Sequence, residues 1–248
     1  MPERASARGL AAAATALAAA GFTASLTVGA AAPAAAAQNC GAGYVGLTFD
    51  DGPTGSTSAL LSTLQQNGVR ATMFNTGQNA QSNPSLVTAQ KNAGMWIANH
   101  SWSHPHLTGL PQSQIRSELQ RTQRTLQQIT GTAPTLFRPP YGETDAAVRA
   151  VARRLGLTEV LWDVDSQDWN GASTAEIVQR ASSLQAGQVI LMHDGYAATI
   201  AAIPQIAANL RSRNLCAGMI SPVTGRAVAP GGDPCTAPTR PPASSQTA

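Results

Sequence analysis

Short apolar runs alternate along the chain with longer amphipathic segments. The apolar runs have the length and residue types of strands, and they predict seven strands, at residues 44–49, 71–75, 95–99, 135–138, 158–163, 189–192 and 215–220. The amphipathic segments predict helices at residues 58–67, 84–92, 112–129, 145–155, 174–184 and 199–212. The clearest helix repeats one mostly apolar face, at Ile115, Leu119, Thr122, Leu126 and Ile129.

The alternation of strands and helices predicts the fold class. A strand followed by a helix and another strand favours parallel pairing with a right-handed crossover, and hence an α/β sheet or barrel. Seven strands favour a distorted (β/α) barrel over the eight-stranded form. In such barrels the loops at the carboxyl ends of the strands build the active site, so polar residues at those ends are candidates for function.

Composition and the two ends of the sequence predict the domain organisation. With 248 residues and 43% hydrophobic content, the chain can bury one good core. Residues 1–37 combine Arg4 and Arg8, an Ala-rich apolar stretch and small residues up to Ala37, which is typical of a secretory signal peptide. A retained membrane anchor is the alternative, but Ala, Gly, Thr and Ser dilute the apolar run. We expect a secreted, extracellular protein with one domain at 38–230 and a disordered Pro/Thr/Ser-rich tail at 231–248.

Three cysteines, Cys40, Cys216 and Cys235, remain after the expected cleavage. In an oxidising environment one disulfide is the default, and the spacing alone does not say which two residues pair. Cys40 precedes the first predicted strand and Cys216 lies in the last one, and a closed barrel brings these strands together. We therefore prefer a Cys40–Cys216 bridge, with Cys216–Cys235 as the second possibility.

Five separate polar clusters lie at the ends of predicted strands. They are Asp50-Asp51 after the first strand, His100 and His104 after the third, Arg138 at the end of the fourth, Asp165 after the fifth and His193-Asp194 after the sixth. Because the strands are expected to be parallel, all five clusters would meet at one rim of the barrel. This coincidence is the strongest argument for an active site that the pattern alone offers.

The first two clusters also have simpler interpretations. Asp50-Asp51-Gly52-Pro53 could be only a turn, but two adjacent carboxylates repel each other without a cation or an arginine nearby. The spacing of His100 and His104 places both imidazoles on one face of a helix, which is a common zinc geometry. A surface helix with two solvated histidines has the same spacing.

Three further residues with ring side chains, His106, Trp102 and Trp169, lie in or near the clusters. His106 is expected to be a loop or rim residue rather than a ligand. Trp102 and Trp169 could be core residues, or they could form a stacking platform that binds a sugar ring of the substrate.

Five motifs contain these clusters, in this order: Thr48-Phe49-Asp50-Asp51, His100-Ser101-Trp102-Ser103-His104, Arg138-Pro139-Pro140-Tyr141, Asp165-Ser166-Gln167-Asp168-Trp169 and Leu191-Met192-His193. They resemble the five ordered motifs of polysaccharide deacetylases, that is, of carbohydrate esterase family 4 or the NodB-homology domain. The resemblance extends over about residues 43–230. Residues 46–49 and 162–169 are most similar to secreted actinobacterial acetylxylan esterases, some of which also act on chitooligosaccharides. The resemblance implies a distorted, seven-stranded barrel of the NodB type.

The resemblance also implies a metal site and a general base. Asp51, His100 and His104 would hold one divalent metal ion, zinc or cobalt. Asp50 would be the general base that takes a proton from the attacking water. Arg138 would pair with Asp50 and keep it ionised and oriented.

Further roles follow from the same resemblance. The backbone N–H of Tyr141 would stabilise the oxyanion, and His193 would protonate the departing sugar oxygen or nitrogen as general acid. Asp165 would hold His193 in its protonated form. Leu191 and Trp169 would border the pocket for the acetyl methyl group.

We therefore expect a metal-dependent hydrolase that removes acetyl groups from polysaccharide, first of all the O-acetyl esters of xylan. N-deacetylation of chitin, chitooligosaccharides or peptidoglycan is the alternative, because esters and amides pass through the same oxyanion. Two other classes are a non-catalytic secreted glycan-binding protein, against which the complete catalytic set argues, and a phosphoesterase with a two-metal site. The net charge of +3 without clustered Lys or Arg argues against nucleic acid or a membrane as a partner, and we expect a monomer.

Overall fold

The computed structural model describes residues 38–231. The expected signal peptide at 1–37, nearly all of the expected tail at 231–248 and Cys235 lie outside the described residues. Between residues 38 and 231, none of the helices combines the length and the apolar character that a bilayer span requires.

The main sheet consists of short strands around one long strand. In chain order the strands are β1 (Gly43–Gly52), β2 (Thr72–Asn75), β3 (Trp96–Asn99), β4 (Leu136–Phe137), β5 (Thr158–Glu159), β6 (Val164–Asp165), β7 (Val189–His193) and β8 (Leu215–Ala217). Two further strands, β9 (Met219–Ile220) and β10 (Ala227–Val228), form a separate antiparallel pair.

Helices connect most of the strands. In chain order they are α1 (Thr57–Gln66), α2 (Gly77–Ser82), α3 (Pro84–Asn92), α4 (Gln112–Thr130), α5 (Ala146–Arg154), α6 (Thr174–Ala181) and α7 (Ala197–Ser212). The predicted helices are all present, close to their predicted ends. The sequence pattern missed α2, because this six-residue helix has no apolar repeat.

The sheet curls, and its connections explain why. All of its pairings are parallel, in the order β5-β4-β3-β2-β1-β7-β6, with β8 beside the start of β1. β5 and β6 stand at opposite edges, although only residues 160–163 connect them. A flat seven-stranded sheet would separate its edges by about 29 Å, whereas this connection reaches at most about 18 Å. The predicted distorted, seven-stranded (β/α) barrel is therefore confirmed.

Two of the predicted strands differ from the structure. The strand predicted at 158–163 is interrupted, because the carbonyl groups of Val160 and Leu161 accept hydrogen bonds from the Arg138 guanidinium. The strand predicted at 215–220 divides into β8 and β9 at Gly218, where a Cβ atom would lie 2.3 Å from the Val228 carbonyl oxygen. The order β5-β4-β3-β2-β1-β7-β6 still contains seven strands. β6, which follows the interrupted segment, adds a strand at one edge, while β8 lies outside this order beside β1.

The two faces of β1 separate the apolar core from the polar interior. Val45, Leu47 and Phe49 belong to the largest apolar cluster, which also contains residues of α1, α6 and α7. Successive side chains of a strand point to opposite faces, so Thr48 and Asp50 face the barrel interior. Packing against the helices therefore stabilises β1 while its inner face carries polar groups.

The longest helix, α4, confirms the strongest helical pattern in the sequence. Ile115, Leu119, Thr122 and Leu126 are buried, and Ile129 is partly buried. The helix ends at Gly131, whose φ of 79° is a left-handed conformation that glycine adopts without strain. Its apolar face packs on the outside of the sheet, between α3 and α5.

A disulfide joins Cys40 to Cys216, with 5.3 Å between the Cα atoms. β1 and β8 pair next to it, through Tyr44 and Cys216. The preferred pairing from the sequence is confirmed, and the bridge connects the start of β1 to a strand 176 residues later.

Removing this bridge should destabilise the domain. Because a long loop is closed, the double variant Cys40→Ser/Cys216→Ser should lose about 2–5 kcal/mol of unfolding free energy, measured by urea denaturation. The control Cys235→Ser should keep the stability of the unaltered protein. A comparable loss in that control would favour the Cys216–Cys235 pairing and contradict this bridge.

Candidate active site

The five polar clusters meet at one end of the barrel, as their positions after parallel strands predict. A cavity of about 300 Å³ opens there. Its lining includes Asp50, Asp51, His100, His104, Tyr141, Asp165, Trp169, Leu191 and His193. Arg138 lies beneath this cavity, inside the barrel, and Trp102 does not line it.

The two adjacent aspartates have different environments. Asp50 is the last inward-facing residue of the regular part of β1 and is 2% exposed. Asp51 has a φ of 66°, so the chain turns sharply, and its side chain is 44% exposed. The side chain of Asn79 in α2 donates a hydrogen bond to the Asp51 carbonyl oxygen at 2.8 Å. The doublet therefore places one carboxylate inside the barrel and the other at its mouth.

Asp194 stabilises the turn that follows the doublet. Its backbone N–H donates to the Asp50 carbonyl oxygen at 2.9 Å. Its carboxylate accepts hydrogen bonds from the hydroxyl groups of Thr54 (3.0 Å) and Thr57 (2.5 Å). Asp194 is thus a structural neighbour of the site and does not line the cavity.

Arg138 is fully buried, and its guanidinium group contacts the base of the cavity. Nη1 donates to Asp50 Oδ1 and to Thr48 Oγ1, both at 2.7 Å. Nε and Nη2 donate to the carbonyl oxygens of Val160 and Leu161. The guanidinium also lies over the Phe74 ring, 4.3 Å from its centre. The expected Arg138–Asp50 pair is therefore present, as a buried ion pair with further hydrogen bonds.

The histidine pair lies on a loop, so the prediction that both imidazoles share a helical face is wrong. Residues 100–104 follow β3 without helical structure, and Ser101 and His104 have φ values of 61° and 59°. The carbonyl groups of Ser101 and Trp102 accept hydrogen bonds from the first N–H groups of α2, at 2.9 and 3.1 Å. A helix through this segment would need those carbonyl groups for its own ladder.

The tautomer of His100 follows from one hydrogen bond. His100 Nδ1 lies 2.8 Å from the Arg138 carbonyl oxygen, which can only accept. Nδ1 therefore carries the hydrogen, and Nε2 presents its lone pair to the cavity. Burial, with a further contribution from His100, lowers the pKa of His104 and favours the neutral imidazole that metal binding requires.

Asp51, His100 and His104 fit a divalent metal ion. Asp51 Oδ1 lies 3.5 Å from His100 Nε2 and 3.4 Å from His104 Nε2. A tetrahedral ion with bonds of about 2.0–2.1 Å separates its ligand atoms by about 3.3 Å. Burial opposes the ionisation of Asp51, but the two imidazoles lower its pKa to about 2. Three protein ligands with one side open to a cavity are typical of a catalytic rather than a structural zinc site.

His193 is paired with Asp168, not with Asp165 as the resemblance implied. His193 Nδ1 donates to Asp168 Oδ1 at 2.7 Å, and Asp168 Oδ2 accepts from the His193 backbone N–H and from Thr199. Burial alone would lower the pKa of His193, but the hydrogen bond from its ring to Asp168 and the nearby carboxylates raise it. The protonated imidazole is thus favoured over a wider pH range.

Asp165 orients Trp169 instead. Its carboxylate accepts from the backbone N–H and the side-chain amide of Gln167, and it faces the Trp169 indole nitrogen at 3.4 Å. Gln167 has a φ of 58°, and this turn directs Asp168 back towards His193. The sequence contained both aspartates, but the direction of their side chains depends on that single left-handed residue.

Aromatic side chains form the rim of the cavity. Tyr141 and Trp169 are 56% and 52% exposed, and Tyr196 is 42% exposed. Trp162 contributes to the lining below Tyr141, where its ring would contact any side chain at Gly142. Neither Trp162 nor Tyr196 belongs to a polar cluster, so the sequence pattern carried no signal that they line the site.

Trp102 does not belong to this rim, so its predicted role as a substrate platform is wrong. Its side chain is buried, with the Arg121 guanidinium 3.5 Å above the ring. The ring also lies so close to Gly77 that a Cβ atom there would be 2.2 Å away. The buried ring of Trp102 therefore holds the loop of residues 100–104, to which it belongs, against α2 and α4.

His106 is a rim residue, as expected. Its ring stacks on Tyr141 with 4.1 Å between the centres, and its Nδ1 contacts Glu143 at 2.9 Å. Tyr141 has a φ of 59°. Within residues 38–231 its backbone N–H donates no hydrogen bond to another backbone group. The N–H group that the resemblance implied for the oxyanion is thus available beside the cavity.

Comparison with known proteins agrees with this geometry. Residues 37–160 match a family model described as polysaccharide deacetylase. Among solved structures, a family 4 carbohydrate esterase from Streptomyces lividans in complex with acetate is similar, with 65% sequence identity and a TM-score of 0.75. That match covers 76% of this chain and 98% of the other.

Two curated relatives are much longer than the region they share with this chain. A bifunctional xylanase/xylan deacetylase from Cellvibrio japonicus is 53% identical over 195 residues, which cover 78% of this chain and 29% of that protein. The peptidoglycan-N-acetylglucosamine deacetylase PgdA from Listeria monocytogenes is 36% identical over 174 residues, covering 68% of this chain and 36% of that protein. This chain thus spans only about a third of the length of these relatives.

Arg138→Met should destabilise the protein strongly, because it leaves Asp50 buried without its partner. We expect a loss of about 3–5 kcal/mol in the free energy of unfolding, measured by urea denaturation. The matched control is Arg226→Met, which breaks the half-exposed pair of Arg226 with Asp163 and should change the stability by less than about 1 kcal/mol. Equal losses in the two variants would contradict the structural role of Arg138.

Proposed function

The chain belongs to the polysaccharide deacetylase family, and from this premise we propose that it is a metal-dependent deacetylase that removes O-acetyl groups from xylan. One observation carries the proposal. The ligand cluster of Asp51, His100 and His104, the arginine-paired Asp50 and the aspartate-paired His193 all face the same cavity. The similarity to a protein named as a xylan deacetylase supports the choice of xylan.

Asp51, His100 and His104 would hold the metal ion, which we propose to be zinc or cobalt. A divalent ion in this position supplies Lewis-acid catalysis, since it polarises a carbonyl oxygen and lowers the pKa of water. The protein contributes the fixed orientation of the ligands. His100 is oriented by the Arg138 carbonyl oxygen, and the backbone turn at Asp51 directs that carboxylate to the cavity.

Asp50 is the proposed general base. Its two carboxylate oxygens have separate tasks, because Oδ1 accepts from Arg138 whereas Oδ2 lies 3.7 Å from His100 Nε2, beside the ligand cluster. Oδ2 is therefore the atom that takes a proton from the attacking water. The charged hydrogen bond from Arg138 fixes the position of the carboxylate.

The backbone N–H of Tyr141 and the imidazole of His193 complete the proposed reaction. Attack of water on the acetyl carbonyl carbon forms a tetrahedral oxyanion, to which the Tyr141 N–H donates. His193 gives its proton to the departing sugar oxygen as the bond from that oxygen to the acyl carbon breaks. Because Nδ1 donates to Asp168, Nε2 is the ring nitrogen that delivers the proton.

Leu191 and Trp169 form the proposed pocket for the acetyl methyl group. Leu191 is buried in β7, two residues before His193, and Trp169 lines the same cavity at its rim. An apolar wall this close to the general acid accepts a small acyl group and excludes water from it.

The cellular context is part of the proposal. The basic, apolar and small-residue order of residues 1–37 and the Cys40–Cys216 disulfide support secretion to the extracellular space. We expect the protein to act there as a monomer on acetylated glycan.

N-deacetylation of chitin oligomers or peptidoglycan is the second candidate. It is supported by relatives such as PgdA, which is named for action on N-acetylglucosamine in peptidoglycan. The proposed residues would serve an amide as well as an ester, since His193 could protonate a departing nitrogen in the same position.

The choice between the two is tested by acetate release. The zinc-loaded protein should release acetate from acetylated xylan with a higher kcat/KM than from chitooligosaccharides. A clear preference for chitooligosaccharides would contradict the xylan assignment. The variant His100→Ala should lose both bound zinc and acetate release, and full activity of that variant would overturn the whole site.

The Asp168–His193 pair predicts a shift in the pH profile. Activity should fall at alkaline pH as His193 loses its proton, and Asp168 moves this fall to higher pH because it raises the pKa of His193. In Asp168→Asn the alkaline limb of kcat should therefore move to lower pH. The control Asp165→Asn should leave the limb in place, since Asp165 contacts Gln167 and Trp169 instead. If the alkaline limb moved in Asp165→Asn and not in Asp168→Asn, Asp165 rather than Asp168 would be the partner of His193.

A further inference from the structure

We propose that Glu118, on the outer helix α4, is a positioning residue that sets the metal affinity of the histidine loop, defined here as residues 100–104. The inference rests on the metal site of the proposed function. Glu118 does not line the cavity, so it acts through the backbone of the loop rather than on substrate or metal.

The backbone of the histidine loop has an unusual set of hydrogen-bond partners. The backbone N–H groups of four successive residues donate to side-chain oxygens rather than to the backbone carbonyl groups of a helix or a strand. Ser101 N–H donates to Asn99 Oδ1, Trp102 and Ser103 N–H both donate to Glu118 Oε2, and His104 N–H donates to Ser101 Oγ. Half of these bonds therefore end on one carboxylate.

Glu118 makes three hydrogen bonds to the segment between the two histidine ligands. The distances from Oε2 to the N–H groups of Trp102 and Ser103 are 2.9 and 2.8 Å, and Oε1 accepts from Ser103 Oγ at 3.0 Å. Hydrogen bonds to a carboxylate are stronger than those between neutral groups. The carboxylate thus fixes the middle of the loop at two adjacent peptide groups.

A second residue of α4 supports the same segment. Arg121, one helical turn after Glu118, places its guanidinium over the Trp102 ring at 3.5 Å. In addition, Gly77 and Gln78 at the start of α2 donate to the carbonyl groups of Ser101 and Trp102. The loop is thus held between α4 and α2.

The loop needs such support because its conformation is not favourable by itself. Ser101 and His104 both have left-handed φ values, which cost energy in residues other than glycine. The separation of the histidine nitrogens from Asp51 depends on these two residues. Groups that orient metal ligands typically change metal affinity by about 10–100-fold when they are removed.

The test measures zinc binding by the metal-free protein, independently of any substrate. Zinc is titrated into chelator-treated protein in competition with a chromogenic chelator. Glu118→Ala should weaken zinc binding by about 10–100-fold, because two N–H groups lose their acceptor. Glu118→Gln should keep most of the affinity, since an amide oxygen of the same reach still accepts.

The matched control is Glu176→Ala. The Glu176 carboxylate accepts from the backbone N–H and the hydroxyl of Ser173, the same chemistry at the start of α6 and away from the cavity. This variant should lower the thermal midpoint of unfolding and leave zinc affinity unchanged. An equal loss of zinc affinity in Glu176→Ala and Glu118→Ala would show that the loss comes from lower overall stability of the protein. That result would overturn the inference.

Zinc affinity of Glu118→Ala within twofold of the unaltered protein would also overturn it. Should Glu118→Ala not fold, Glu118→Gln is compared with Glu118→Asp, which keeps the charge but is one carbon shorter. The aspartate variant should bind zinc more weakly, and the reverse order would contradict a positioning role. An unaltered protein that binds no zinc would instead refute the metal site of the proposed function.

Discussion

The buried contact between Arg138 and Asp50 is the interaction on which both the barrel and its site depend. The guanidinium lies inside the barrel, where it contacts the carboxylate of Asp50 on the central strand and the carbonyl oxygens of Val160 and Leu161 between the two edge strands. Within residues 38–231 neither of these carbonyl groups accepts a hydrogen bond from the backbone of another strand. Arg138 thus replaces part of the missing strand pairing, and its planar fork of donors suits this task better than lysine would.

The same residue connects the two halves of the proposed chemistry. Its side chain orients Asp50, and its backbone carbonyl fixes the tautomer of His100. A buried ion pair contributes little net stability compared with apolar packing, so its presence here is better explained by the orientation it provides. The apolar outer face of β1 stabilises the strand, and the inner face is free to carry polar groups that a purely structural strand would avoid.

The sequence predicted the parts of this arrangement that depend on periodicity and strand order. Alternating strands and helices gave the barrel, and polar clusters after parallel strands predicted a shared rim that the cavity confirms. The two errors within the catalytic motifs lie where one backbone torsion angle decides. Left-handed residues at Ser101 and Gln167 turn the histidine loop away from a helix and direct Asp168 instead of Asp165 to His193. Residue types tolerate such conformations without requiring them, so pattern alone does not reveal them.

Burial divides the candidate site into an interior part and an exposed rim, and the proposed function gives the two parts different tasks. Asp50, His100 and Arg138 are buried and linked by hydrogen bonds, and in the proposed reaction they serve only the acyl carbon and its oxygens. Tyr141 and Trp169 are about half exposed on the rim, so that Trp169 can border the proposed acetyl pocket with one part of its ring while the exposed ring surfaces stack on a sugar. On this proposal a change of glycan would require changes among the exposed side chains, whereas a change of reaction would require rebuilding the barrel interior around Arg138.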